Sequence, residues 1–242
     1  MPESSQIESL KKTIEEQKFA ISQISHEIRN PVTLINSSLK LIEKQHPEVQ
    51  SFAYWKDMMQ DMEYLLCLLD EVSSFNNSML LKRERINTSQ WLTDFASSLF
   101  CMIPHSVHFS FHIPPMLPSL TADPVKLRRA LSNLLRNGFE ALEKEGEVLL
   151  TASSDGQSLS LCVSDTGCGI PEEYMDTLYQ PFVTHKAGGT GLGLSITKRI
   201  VEAHDGSLSL KTAPGVGTSF TIRLPLDAAG QSACSASEQQ GI

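Results

Sequence analysis

The first half of the chain is patterned for helix. Apolar or neutral residues fall at Ile7, Leu10, Ile14, Gln17, Ile21, Ile24 and Ile28, alternating steps of three and four, which is the seam of a coiled coil. Past Pro31 the seam resumes at Val32, Ile35, Leu39 and Ile42 and runs out near Pro47. A second stripe follows with the same spacing at Trp55, Met58, Met62, Leu65, Leu69 and Val72. Two long helices joined by a short loop make a hairpin with one apolar stripe on each arm. A single hairpin of that shape cannot bury both stripes, whereas two copies can, so a homodimeric four-helix bundle is expected. Pro31 removes a backbone donor inside the first helix and crowds the carbonyl of Glu27, so a bend is expected there.

The pattern breaks over 73–81 (SSFNNSMLL), read as a linker. Beyond it the periodicity is mixed. An amphipathic helix is predicted over 88–102 and a strand over 107–113. A helix is predicted over 124–144, with Asp123 as N-cap and Pro124 at its first position. Strands are predicted over 147–152 and 159–164, joined by a turn at Asp155-Gly156. Two more, over 207–212 and 219–224, flank a turn at 214–217. Strands with helices between them and no repeating βαβ rhythm point to an α+β layer. The expected organisation is a coiled-coil and hairpin region over 1–80, a second domain over 82–226, and a small, polar, disordered tail over 227–242.

Composition narrows the classes. Among 242 residues, 40% are hydrophobic and the formal net charge is −8, so no broad basic field for direct nucleic-acid binding is expected. Five scattered cysteines with no CxxC pair argue against a disulfide framework or zinc site and fit a reducing, cytoplasmic setting. No apolar run approaches the ~20 residues of a membrane helix, and the N-terminus lacks a signal-peptide core. Any transmembrane sensing is therefore expected from a part missing from this sequence or from a separate sensor or upstream partner.

Candidate chemistry begins on the first helix at 25–31, SHEIRNP. With Ile24 and Ile28 on the seam, His26 projects to solvent, and Asn30 shares its face at i+4. A neutral imidazole nitrogen is a nucleophile for phosphorus. A neighbouring carboxylate, Glu27, can take the proton of the other ring nitrogen, and an amide one turn away can orient a water. A lone histidine is ordinarily a solvated surface residue; the acidic neighbour, the asparagine and the proline weigh against that here.

Four further clusters follow. Asn133 and Asn137 share a helical face, and an amide oxygen suits Mg²⁺; alone they equally suit a polar stripe. DTGCGIP (165–171) follows a strand and offers a carboxylate for an exocyclic amine, with Gly167 and Gly169 allowing close backbone approach. PFVTHK (181–186) ends in Lys186, a cation for a terminal phosphate. The run 188–193 leads into a helix whose first N–H groups form an anion site. That run follows no strand, so a dinucleotide fold is a poor reading, and no Walker lysine is present.

Taken together, these segments resemble sensor histidine kinases of two-component systems. SHEIRNP resembles their phosphoacceptor box, NLLRN (133–137) the N box, DTGCGIP the G1 box, PFVTHK the F box, GTGLGLSI (189–196) the G2 box and GVGTSF (215–220) the G3 box. The resemblance spans about residues 10–226. It implies a helical dimerisation hairpin followed by an α/β-sandwich ATP-binding domain of the kind shared with Hsp90, gyrase and MutL. It implies His26 as phosphoacceptor, Glu27 as its acid/base partner and Asn30 in support of phosphatase activity. By the same resemblance Asn137 binds Mg²⁺ with Asn133 in support, and Asp165, Gly167 and Gly169 form the adenine pocket. Lys186 and the backbone of Gly189, Thr190, Gly191, Leu192 and Gly193 hold phosphates. ATP and Mg²⁺ are the implied cofactors, and a response-regulator aspartate the implied acceptor. The short gap between 186 and 189 is similar to that of nitrogen-regulation and sporulation kinases.

Two positions depart from the family. Gly138 stands where alanine is frequent and loosens that helix by ~1 kcal/mol, and His185 replaces a more usual threonine. Three rival readings are a phosphotransfer or phosphatase protein with an inactive ATP domain, a non-kinase ATPase of the same superfamily, and a coiled-coil adaptor. Intact glycine and asparagine clusters oppose the first, the exposed His-Glu segment the second, and the whole second half of the chain the third. His108 and His112 are expected as exposed strand residues, His204 as a favourable partner of a helix C-terminus, and Cys168 as a space-filling residue.

Overall fold

A computed structural model describes residues 2–99, 103, 107–142, 145–186 and 189–226, with backbone alone at 2–12, 14, 15 and 18. The expected disordered tail, 227–242, and the side chains of Ile7, Leu10 and Ile14 lie outside the described set. The chain divides into two compact units, Met1–Asn77 and Ser78–Ile242.

The first unit is a helical hairpin, α1 (Pro2–Gln45) and α2 (Trp55–Asn77), joined through a short 3-10 turn at Pro47–Ser51. Helix α1 runs without interruption through Pro31. Arg29 on α1 pairs with Asp70 on α2 and ties the arms together. Helix α2 continues to Asn77, although a linker was expected from Ser73; residues 72–77 are half-buried, and packing overrides the weak helix propensity of Ser and Asn.

The apolar stripes are only partly covered within one hairpin. Val32, Leu39, Met62 and Leu69 are half-buried. Ile21, Ile24, Ile28, Ile35 and Ile42 on α1 stay between 41% and 54% exposed, and Met58 and Leu65 on α2 are exposed too. Near His26 the residue buried within the hairpin is Ser25, not Ile24 or Ile28, its hydroxyl donating to the Ile21 carbonyl at 2.7 Å. The isoleucine seam therefore faces away from the hairpin's own second arm.

The second unit is a two-layer α/β sandwich. Its elements are β1 (Glu84–Ile86), α3 (Thr88–Leu99), β2 (Val107–His112), β3 (Leu120–Ala122), α4 (Pro124–Ala141), β4 (Gly146–Ser154), β5 (Ser158–Asp165), α5 (Gly193–Ala203), β6 (Ser207–Ala213) and β7 (Gly217–Pro225). Five strands form one sheet in the order β2-β4-β5-β7-β6. All neighbours are antiparallel except β2 and β4. That parallel pair, and the small antiparallel pair β1–β3, were not foreseen. The parallel pairing arises because α4 lies in the connection between β2 and β4, the geometry a crossover requires.

Period-2 alternation orients the sheet. Val148, Leu150 and Ala152 of β4, Leu159, Leu161 and Val163 of β5, and Phe220, Ile222 and Leu224 of β7 are buried. They meet Leu127, Leu131, Leu134 and Leu135 of α4 and Ile196, Ile200 and Val201 of α5. The opposite face carries Thr151, Ser160, Cys162, Ser164 and Arg223, half-buried or exposed. Helix α4 starts as anticipated: Asp123 caps it, accepting from the amides of Val125 and Lys126 at 3.1 and 3.0 Å.

His204, at the C-cap of α5, meets the helix C-terminus as expected and is buried. Its Nδ1–H donates to the Ile200 carbonyl at 2.8 Å, and Nε2 accepts the Asp123 amide at 3.0 Å. Burial, as the largest cause, holds its pKa below the ordinary histidine range, so the ring is neutral. His108 is exposed as expected, 3.9 Å from Glu147, and His112 is also exposed.

Candidate nucleotide and phosphoacceptor sites

The glycine-bearing segments converge at one end of the sheet. Asp165 closes β5, and its Oδ1 accepts from the Gly167 amide at 2.9 Å and the Thr218 amide at 3.2 Å. No hydrogen bond to Oδ2 occurs among the described residues. Half-burial pushes the Asp165 carboxyl above the ordinary aspartate range; the two amides and the charge of Lys186 pull the other way. A carboxylate held by two backbone donors on one oxygen and open on the other is suited to accept from an amine.

The loop after Asp165 is wedged between α4 and the β6–β7 turn. Cys168 N donates to Ala141 O at 3.1 Å, Gly215 N to Cys168 O at 2.8 Å, and Ile170 N to Thr212 Oγ1 at 2.9 Å. Two glycines make this closeness possible. Gly169 has φ +70°, and a Cβ there would fall 2.2 Å from Ala213 O. Gly217 has φ +135°, and a Cβ would fall 2.0 Å from Asp165 O. No L side chain is tolerated at such contacts. Thr218, Thr212 and Gly217 thus build the Asp165 corner. For Gly217 and Thr218 the GVGTSF resemblance was the only signal, and it carried no roles; Thr212 lay outside every motif.

Asn133 is buried and donates from Nδ2 to Gly193 O at 3.1 Å, joining α4 to the first residue of α5. Asn137, one turn on, is half-buried, and its side-chain amide has no hydrogen-bond partner among the described residues. Leu192 is buried, so only its backbone can meet a ligand. Among the described residues no side chain caps α5, which leaves its first N–H groups available for an anion. Gly191, φ +70°, lies against the backbone of Phe182 and Val183, and the Phe182 amide donates to Gly191 O at 3.2 Å. Thr190 Oγ1 accepts the Leu192 amide at 3.3 Å, and the Gly189 amide donates to Lys186 O at 3.1 Å. The segments around 181–186 and 189–193 are therefore one structure. Gly188 lies outside the described residues.

Lys186 donates to Glu140 Oε2 on α4 at 3.0 Å, a partner the motifs did not suggest. The His185 ring stacks on Tyr174, centroids 3.6 Å apart and planes 9° apart, which gives it a packing role. Cys168 is exposed, which does not match a space-filling residue; its thiol donates to Gly169 O at 3.4 Å.

These residues fit a magnesium nucleotide. An amine acceptor with one open oxygen, glycines that no side chain may replace, an uncapped helix N-terminus and an amide without a partner form a cradle for a base, a polyphosphate and a hard cation. On α1, His26, Glu27 and Asn30 are all exposed. Glu27 Oε1 accepts from Gln23 at 3.3 Å. The two sites lie in different units.

The fold and the Asp165 corner define the second unit as a nucleotide-binding sandwich, and residues 122–228 match the family model of the histidine kinase-, DNA gyrase B- and HSP90-like ATPases. The chain is 30% identical over 220 residues to the signal transduction histidine-protein kinase AtoS of Escherichia coli K12, covering 86% of this chain and 34% of that protein. It is 30% identical to the sensor histidine kinase ZraS of the same organism, covering 84% of this chain and 44% of ZraS. The sensory histidine kinase/phosphatase NtrB of Escherichia coli O157:H7 is 29% identical, with 84% and 60% covered. Among solved structures, full-length ShkA in complex with AMPPNP superposes with a TM-score of 0.75 at 26% identity, covering 87% of this chain and 46% of ShkA. The catalytic domain of the histidine kinase ThkA gives 0.54 at 26% identity, covering 60% of this chain and 96% of that one.

The second unit carries the ATPase domain of this family, and along most of its length the chain is similar to sensor histidine kinases. It spans between a third and three fifths of the length of these curated relatives. Among the described residues, no helix is long and apolar enough to cross a membrane.

Proposed function

We propose that this chain is an ATP-dependent protein histidine kinase that phosphorylates His26 and passes the phosphoryl group to an aspartate of a response regulator, which it also dephosphorylates. The supporting observation is the pairing, in one chain, of a solvent-facing His26 beside Glu27 and Asn30 with a built cradle around Asp165. ATP with Mg²⁺ supplies the γ-phosphoryl group and screens its charge. The chain's own residues do the rest, mainly by positioning. Asp165 Oδ2 accepts from the adenine amine, and Gly167 and Gly169 let the backbone approach the base. Asn137 offers its amide oxygen to the metal, and Asn133 fixes α4 against α5. Lys186 and the amides over 189–193 meet the phosphates.

His26 attacks the γ-phosphorus as neutral imidazole, and the P–N bond forms as the P–O bond to ADP breaks and ADP leaves. Glu27 withdraws from Gln23 to hold the proton on the other ring nitrogen, and Asn30 orients water for the reverse, hydrolytic step. The exposed seam Ile24, Ile28, Ile35 and Ile42 is the face of a homodimer. A response regulator docks on the bundle near His26, in the cytoplasm.

The reading is tested with γ-labelled ATP and Mg²⁺ on the wild type and His26→Gln. Acid-labile, alkali-stable label in the wild type alone is the expected outcome. Label retained by His26→Gln, or none despite demonstrated ATP binding, overturns it.

A further inference from the structure

Lys186 is the only lysine or arginine between Pro181 and Leu194, so it is the cation that this stretch can offer a polyphosphate. It does not stand free. Its Nζ donates to Glu140 Oε2 at 3.0 Å, with both side chains 47% exposed. Glu140 also lies 3.9 Å from Arg136 Nε. Arg136 in turn borders the start of α5, where a Cβ on Gly193 would lie 3.6 Å from its guanidinium. Lys186 is close enough to Asp165 to lower that carboxyl's pKa. One carboxylate, three residues past Asn137 on α4, therefore faces two cations at the edge of the cradle.

We propose that Glu140 is a positioning residue that sets nucleotide affinity, holding Lys186 on α4 until a polyphosphate takes its place. This rests on the reading that the second unit binds ATP. Two effects follow from the placement. A phosphate must compete with Glu140 for Lys186, and the Glu140 carboxylate repels the phosphate charge that arrives beside it. Both weaken binding in proportion to phosphate charge and leave adenosine untouched. The pair is half-exposed, so solvent and salt screen it and the effect is modest.

The experiment measures dissociation constants of ATP, ADP and adenosine by calorimetry with Mg²⁺ on the full chain, for the wild type, Glu140→Gln and Glu140→Asp. Melting curves without nucleotide check that each variant folds. Glu140→Gln is expected to bind ATP about three- to fivefold more tightly, ADP less so, and adenosine as the wild type does. Glu140→Asp keeps the charge and is expected near wild type. Unchanged or weaker ATP binding by Glu140→Gln overturns the proposal; a Glu140 that pre-orients Lys186 or ligates the metal gives the weaker result. Equal tightening of adenosine overturns it as well. A wild type that binds no ATP at all sinks the kinase reading and this inference together, whereas ATP binding with an indifferent Glu140→Gln sinks the inference alone.

Discussion

Replacing Asp123 with alanine strikes the junction where the segment just before β1, the start of α4 and the end of α5 meet. Asp123 is 4% exposed. Its Oδ1 accepts from the amides of Val125 and Lys126, and its Oδ2 accepts the Lys82 amide at 2.9 Å. Its own amide donates to the neutral His204 ring, which alanine preserves. Loss of an N-cap costs about 0.5–2 kcal/mol. The bond from Lys82 to an ionised acceptor adds about 1.5–3 kcal/mol before water is counted, and Lys82 is exposed, so water returns part of it. The sum is about 2–4 kcal/mol, or roughly 5–15 °C in the melting temperature of a unit this size. Asparagine keeps one acceptor oxygen for the cap and loses the second and the charge, so Asp123→Asn is expected to lose less than half as much. Differential scanning calorimetry of both variants decides it. A drop below about 2 °C for alanine, or asparagine as damaging as alanine, refutes the reasoning.

The remaining expectations concern His204, the glycines and the seam. Because the folded pKa of His204 is depressed, the unfolded chain binds its proton first. Its contribution is intact above about pH 6.5 and declines as pH falls toward the folded pKa, by at most about 1.4 kcal/mol per pH unit; urea midpoints from pH 7.5 to 5.5 should fall less steeply in His204→Gln, and equal slopes contradict this. Gly138→Ala would place its Cβ 3.4 Å from Val148 Cγ1, an ordinary contact, so a stabilisation of about 0.5–1 kcal/mol is expected in the same assay. Gly169→Ala meets the Ala213 carbonyl at a left-handed φ, and nucleotide affinity should drop more than about tenfold, read by calorimetry. Ile35→Asp puts a charge on the exposed seam and should turn a dimer into a monomer by light scattering, with the helicity of the hairpin retained.

What the chain discloses before its fold is known depends on whether the physics is local. Asp123-Pro124 marked the start of α4 because capping is settled within four residues, and Gly169 stood out because close backbone approach demands glycine, whereas the need for Gly217 shows only in the packed corner. The three-residue strands β1 and β3 carry too few positions to show a period, and each exists only through the other. The seam was legible in its spacing but not in its direction. Ile24 and Ile28 have the right period, yet a helix in a bundle has two neighbours, and the period alone does not say which one a stripe meets; the buried Ser25 answers that only in three dimensions. His204 was read as a partner of a helix C-terminus and is one, but nothing local showed that its other nitrogen accepts an amide 81 residues away. Lys186 follows the same logic. Its charge was plain, but its partner Glu140 lies 46 residues earlier on another element, and no spacing rule reaches that far. Residue types in the site were thus readable where the backbone demanded them. The pairings that set affinity and pH response depend on which elements the core brings together, and those are properties of the packed sandwich.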